Sequence, residues 1–266
     1  MSKIDSLISD MWNDYIKMVP TADKIVNLLK NRGEDIVNDH IALRTFNLSK
    51  VNVDVIAKPF LDSGYIESGD YHFEQKKLYA KHYEHPDSNK PKVFISELLV
   101  QSFSENFQKI VSRIVSDIDD NLLNQFNFIT SGRSWNLTSE EYDILDKESS
   151  YGSWLASIGY RPNHFTIFIN ALKKFNEVSD LNLFLKSNGI KLNESGGEVK
   201  GSPEVFLEQS STLADQIEIK LSDKSITIPS CYFEFAKRYK MDNGKVYQGF
   251  VAGSADKIFE STSKGQ

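Results

Sequence analysis

The amino-acid sequence predicts an α+β fold in which two βαβββ units pair into one curved mixed sheet, with additional helices at the N-terminus and between the units. Three observations predict it. The order strand, helix, several strands occurs twice along the chain. Each occurrence opens on an apolar strand with a histidine at its first pleat, NDHIALRTFN and PNHFTIFIN. Each also carries a glutamate in its last strand, in SELLV and in FEFAK. A repeat of this length dictates architecture, because one unit alone is too small to close a core and must bury its apolar face against its copy.

The 266 residues are read as a single domain. Residues 1–37 hold two helices. In the first, Ile4, Leu7, Ile8, Met11, Tyr15 and Met18 recur at helical spacing up to Pro20. The second, TADKIVNLLKNRG, stops at Gly33. Residues 38–101 are the first βαβββ unit: the opening strand, a helix in DVIAKPFLDSG, and strands in YIESGDYHFEQ, KKLYAKHYEH and KVFISELLV. Residues 102–160 are a helical insertion. A long amphipathic helix, SENFQKIVSRIVSDIDDNLLNQF, is capped by Ser104 or Ser102, and another starts at the Thr138/Glu141 capping box. Residues 161–240 are the second unit: the strand NHFTIFIN, a helix around EVSDLNLFLKSNG, then strand-like runs at GIKLNESGG, EVFLEQSSTLADQIEIKL and SITIPSCYFEFAKRY. Residues 241–266 are a C-terminal tail with a short helix.

Composition narrows the function classes. A net charge of −6 argues against a nucleic-acid partner, which requires a basic surface. No apolar run approaches the ~18–20 residues of a membrane span, and the N-terminus lacks the apolar core of a secretory signal. One cysteine, Cys231, excludes an intrachain disulfide and fits a reducing compartment, so a cytoplasmic location is expected. Cys231 alternates with Phe233 and reads as packing.

The chemistry is expected at the repeat. Histidines at matching positions of two pseudo-symmetric units, His40 and His164, converge near the axis, and Glu234 stands in the last strand of the second unit. Two imidazoles and a carboxylate suit a divalent first-row metal with open positions. Glu97, taken as the counterpart of Glu234 in the first unit, is a candidate fourth ligand. Arg44 lies on the His40 face about 13 Å along the strand, within side-chain reach of a small anion on the metal, or paired with a neighbouring acid. His72, His82 and His85 fall in a polar stretch that reads as a solvated hairpin. Ser210, Ser211 and Thr212 read as a turn or strand end that could also meet substrate. No phosphate-binding loop is present.

DHIALRTF, GSPEVFLEQSSTLAD, YFEFAKRY and GFVAGSADKIFEST together resemble the signature segments of the 2-oxoadipate dioxygenase/decarboxylase family, also called 2-hydroxyglutarate synthase (DUF1338), within the vicinal oxygen chelate superfamily. The resemblance spans residues 38 to about 262. It implies an Fe(2+) site ligated by His40, His164 and Glu234, with Arg44 holding a 2-oxo acid that reacts with dioxygen while chelated beside His40 and His164. Gly253 and Ser254, just before the short terminal helix, read either as a plain helix cap or as N–H groups that receive a substrate carboxylate. The implied reaction converts 2-oxoadipate to 2-hydroxyglutarate and carbon dioxide. The chain is compact beside longer members of the family, which leaves the exact oxo acid open. Two other readings stay open on the same fold: a metal-dependent lyase or isomerase of glyoxalase type, for which Glu97 as a ligand is the discriminating feature, and a non-catalytic small-molecule binding protein.

Overall fold

A computed structural model describes residues 2–251 and 253. Helices α1 (Lys3–Met18) and α2 (Pro20–Asn31) lead into the first unit: β1 (Asn38–Phe46), α3 (Val53–Leu61), β2 (Ile66–Phe73), β3 (Leu78–Glu84) and β4 (Lys92–Leu98). Helices α4 (Glu105–Ser116), α5 (Asp120–Leu123), α6 (Ser139–Glu148) and α7 (Ser150–Ile158) separate it from the second unit. That unit comprises β5 (Pro162–Phe168), α8 (Val178–Ser187), β6 (Lys200–Ser202), β7 (Leu207–Ser211) and β10 (Glu234–Arg238), with a hairpin of β8 (Gln216–Lys220) and β9 (Ser225–Pro229) inserted before its last strand. No helix among the described residues is long and apolar enough to cross a membrane.

The eight-stranded sheet has the order β2-β3-β4-β1-β5-β10-β7-β6. Each unit thus places its first strand at the centre and its last strand beside it, parallel in both cases. The units join through the antiparallel pair β1–β5, where Ala42 stands opposite His164 and Ile41 opposite Phe165. Alternation then sorts the faces. Phe165 packs on Trp12 and Tyr15 of α1, so its face is the helix-covered core. His40, Ala42 and Arg44 of β1, and His164 and Thr166 of β5, take the other, concave face.

Two register shifts interrupt the seam, one between Asn38 and Ile41 and one where Asn163 is the extra residue between Pro162 and His164. A bulge lets a strand aim two successive side chains to one side. Here the bulges sit beside His40 and His164, one in each unit.

Several expected elements differ. The helix expected to run from Ser104 to Phe126 ends at Ser116. Asp119 then accepts from the Asn121 and Leu122 N–H groups and starts a separate turn, the local competition that short polar side chains offer a helix. GIKLNESGG forms no strand beyond a bridge from Leu192 to Thr212. Asn193 Oδ1 accepts from Ser195 N–H at 2.9 Å, and Gly196 and Gly197 have φ of 69° and 99°, so the segment turns. The run 204–221 splits into β7 and β8, because Asp215 leaves the sheet to accept from the Thr21 N–H and hydroxyl.

Candidate metal centre

His40, His164 and Glu234 meet on the concave face at the seam, all three buried, each offering a ligand atom within 4.8 Å of the others. His40 Nε2 lies 3.3 Å from His164 Nε2 and 3.6 Å from Glu234 Oε1, and His164 Nε2 lies 3.3 Å from Glu234 Oε2. Atoms about 2.1 Å from a common ion stand about 3.0 Å apart at a right angle and about 3.4 Å apart at a tetrahedral one, so the spacing suits a shared cation.

Protonation supports the same reading. Asp39 Oδ1 accepts from His40 Nδ1 at 2.8 Å, and Asn163 Oδ1 accepts from His164 Nδ1 at 3.1 Å. Each ring therefore turns a lone pair on Nε2 toward the other. Burial holds both imidazoles below their ordinary range and so neutral, His164 furthest, where a proton on His40 would add to the effect and the Arg44 charge does. Burial also pushes the Glu234 carboxyl up to about 8, against a hydrogen bond from Gln209 Nε2. Converging lone pairs and a carboxylate that burial disfavours as an anion fit a site completed by a divalent cation.

The surroundings of the two histidines are asymmetric. Asp39 also receives Arg238 Nε at 2.6 Å and Nη2 at 2.8 Å. Burial alone would raise Asp39, but the Arg238 guanidinium and the His40 N–H outweigh it and keep the carboxyl well below its usual range. His164 instead stacks on Tyr232, with ring centroids 4.7 Å apart at 29°. Thr166 Oγ1 lies 3.1 Å from His40 Nε2.

Arg44 keeps to the concave face. It is buried, and its guanidinium lies 4.7 Å from the ring centres of both Tyr151 and Trp154 on α7. It lines a cavity of about 200 Å³ together with Tyr151, Leu78 and Phe103. Its charge reaches His164, whose proton affinity it lowers.

Glu97 is not brought to the cluster. Register explains why: Glu234 pairs with Thr166, two residues past His164, and the matching position two residues past His40, Ala42, pairs with Phe94. Phe94 is therefore the counterpart of Glu234. Glu97 pairs with Thr45, one pleat out of phase with Arg44, and accepts from Val53 N–H at 2.8 Å at the start of α3. The feature that would have favoured a four-ligand, glyoxalase-type centre is thus a helix anchor. The hairpin histidines divide. His72 is exposed, but His82 is buried, with Tyr71 Oη at 2.9 Å and Glu84 at 3.1 Å, because β3 is an inner strand. Ser210 donates to Asn182 of α8 at 2.7 Å, and Thr212 Oγ1 accepts from Phe233 N–H at 3.0 Å, so both serve the fold. Cys231 is buried, as expected. Ser254 and the terminal helix lie outside the described residues.

The family model for 2-oxoadipate dioxygenase/decarboxylase matches residues 6–245. The chain belongs to that family. The chloroplastic 2-oxoadipate dioxygenase/decarboxylase of Arabidopsis thaliana is 33% identical, over 98% of this chain and 78% of its own. The hydroxyglutarate synthase of Oryza sativa, solved in complex with 2-oxoadipate, shares the fold at a TM-score of 0.91 with 32% identity, covering 99% of this chain and 95% of that one. A protein of solved structure from Shewanella frigidimarina gives the same TM-score at 54% identity, covering 95% of this chain and 99% of its own.

For this member of the 2-oxoadipate dioxygenase/decarboxylase family, sequence reasoning missed Asp39, Asn163, Arg238, Gln209 and Tyr232. Two of them left a signal. NDH and PNH each put a side-chain acceptor directly before the histidine, the arrangement that fixes a ligating ring. Arg238, Gln209 and Tyr232 gave none, because their roles depend on the cross-strand register.

Proposed function

We propose that this chain is an iron(II)-dependent dioxygenase/decarboxylase of a 2-oxo dicarboxylic acid, converting 2-oxoadipate to 2-hydroxyglutarate and carbon dioxide. Family membership supports the reaction class. The observation that carries the site is the convergence of two neutral Nε2 lone pairs and one buried carboxylate from opposite units. His40, His164 and Glu234 would hold the ion, and three ligands of this kind leave coordination positions for a small chelating acid and dioxygen. Iron(II), when bound, supplies the dioxygen chemistry that no side chain can perform.

The chain's own residues do the rest. Asp39, itself fixed by Arg238, keeps the His40 proton on Nδ1, and Asn163 does the same for His164. Gln209 Nε2 holds one Glu234 oxygen, so the carboxylate presents a set direction. Arg44 is the candidate partner of a substrate carboxylate, its planar fork preset between two aromatic rings. The Phe250 ring stands edge-on to His40, with Phe94 against it, and Tyr232 stacks on His164, so both imidazoles are bordered by aromatic rings. The overall change balances: one dioxygen is consumed, C1 leaves as carbon dioxide, and the two oxygen atoms end in the new carboxylate and the hydroxyl.

Oxygen uptake tests the reading. Protein purified without oxygen and supplied with ferrous iron is expected to consume one dioxygen and release one carbon dioxide per 2-oxoadipate, and to do neither when iron is withheld. Turnover that continues without dioxygen would contradict it.

A further inference from the structure

After β10 the chain turns back and crosses the concave face. Tyr247 N–H donates to Tyr239 O at 2.9 Å, which starts the return. Arg238 Nη1 donates to the Tyr247 carbonyl at 3.2 Å and the Gly249 carbonyl at 2.8 Å. Phe250 N–H donates to Tyr71 Oη at 3.1 Å, and the Tyr247 hydroxyl donates to the Phe250 carbonyl at 3.1 Å. These bonds seat the Phe250 ring, 7% exposed, edge-on to His40 at 4.8 Å and against Phe94 at 4.9 Å, with His82 at 5.4 Å and the Arg238 guanidinium carbon at 5.2 Å.

Two features make this more than packing. Phe250 stands edge-on to His40 and against Phe94, on the side where the first unit has Phe94 in place of a carboxylate. The same guanidinium that holds the returning segment through Nη1 also holds Asp39 through Nε and Nη2. One side chain thus ties the wall to the residue that sets the His40 ring.

We propose that residues 246–250 form a latched wall of the active-site cleft, in which Phe250 sets the size of 2-oxo acid admitted and Arg238 is the positioning residue that latches the wall beside His40. The size limit rests on the function proposed above; the latch does not.

Amide hydrogen exchange on the full chain tests the latch. Arg238→Lys keeps a cation near Asp39 but loses the fork that reaches both carbonyls, and Tyr71→Phe removes the second tether without touching Asp39. Both are expected to speed exchange at residues 247–250 by about tenfold or more while amides of β4 stay unchanged. Unchanged exchange at 247–250 in both variants would overturn the latch. For the wall, 2-oxoadipate and phenylpyruvate, a 2-oxo acid with a bulky ring, are titrated into cobalt(II)-loaded wild type and Phe250→Ala. The ratio of their affinities is expected to move toward phenylpyruvate by about tenfold. An unchanged ratio would overturn the size limit. A wild-type chain that takes up no cobalt(II) would count against the metal reading, and the exchange result would still decide the latch.

Discussion

The two units share a topology and divide a task. Each supplies a histidine from its central strand, and each turns that ring with the residue just before it, across a bulge. Beyond that they diverge. At the matching position of the last strand the second unit has Glu234 and the first has Phe94. The first ring is held by a charged pair, Asp39–Arg238, and the second by a neutral amide and a stacked phenol. Duplication supplies the scaffold and brings two imidazoles together. Divergence at one pleat gives the site its carboxylate on one side and an aromatic wall on the other.

Breaking the shared part should have the largest effect. His164→Ala removes one of the two proposed histidine ligands and is expected to abolish stoichiometric iron(II) binding and lower activity by more than about a thousandfold, with the folded circular dichroism spectrum retained. Metal analysis after anaerobic loading checks it; full iron content with full activity would show the ligand set to be wrong. Arg44, on the first unit's face alone, sharpens the division. Arg44→Lys should raise KM for 2-oxoadipate by about tenfold with a smaller change in kcat, because a lysine cannot reproduce a bidentate fork, and steady-state kinetics separates the two.

The unequal shells predict unequal sensitivities. Asp39→Asn should weaken metal affinity by about 10–100-fold, since the ring loses an anionic acceptor that both orients it and raises its basicity. Asn163→Ala removes only a neutral acceptor while Tyr232 still holds the ring, so its loss should fall at or below the lower end of that range. Equal effects in competitive chelator titrations would erase the distinction drawn between the units. The smallest effect is expected at Glu97. Glu97→Gln weakens the bond to Val53 N–H at the start of α3 and should cost about 1 kcal/mol in urea unfolding, leaving metal affinity unchanged.

Much of this was legible in the sequence where period and repetition speak. The βαβββ duplication, the central strands and the convergence of His40, His164 and Glu234 follow from alternation and from matched histidines. Glu97 shows where that reasoning stops. Two glutamates in the last strands of two units look equivalent until the register is known, and a slip of one pleat sends a side chain to the opposite face. Arg238 shows the same limit from the other side. It lies 199 residues from Asp39, and nothing local announces that the two pair. His82 read as solvated because its neighbours are polar, yet the strand order makes β3 an inner strand and buries it.

The proposed function requires side chains from both units to bind one ion. Anaerobic titration of the wild type, His40→Ala, His164→Ala and Glu234→Ala with iron(II) measures this. One equivalent per wild-type chain, and loss of that binding in each variant, whichever unit carries the change, is the result predicted. Retention of a full equivalent when either histidine is removed would contradict it.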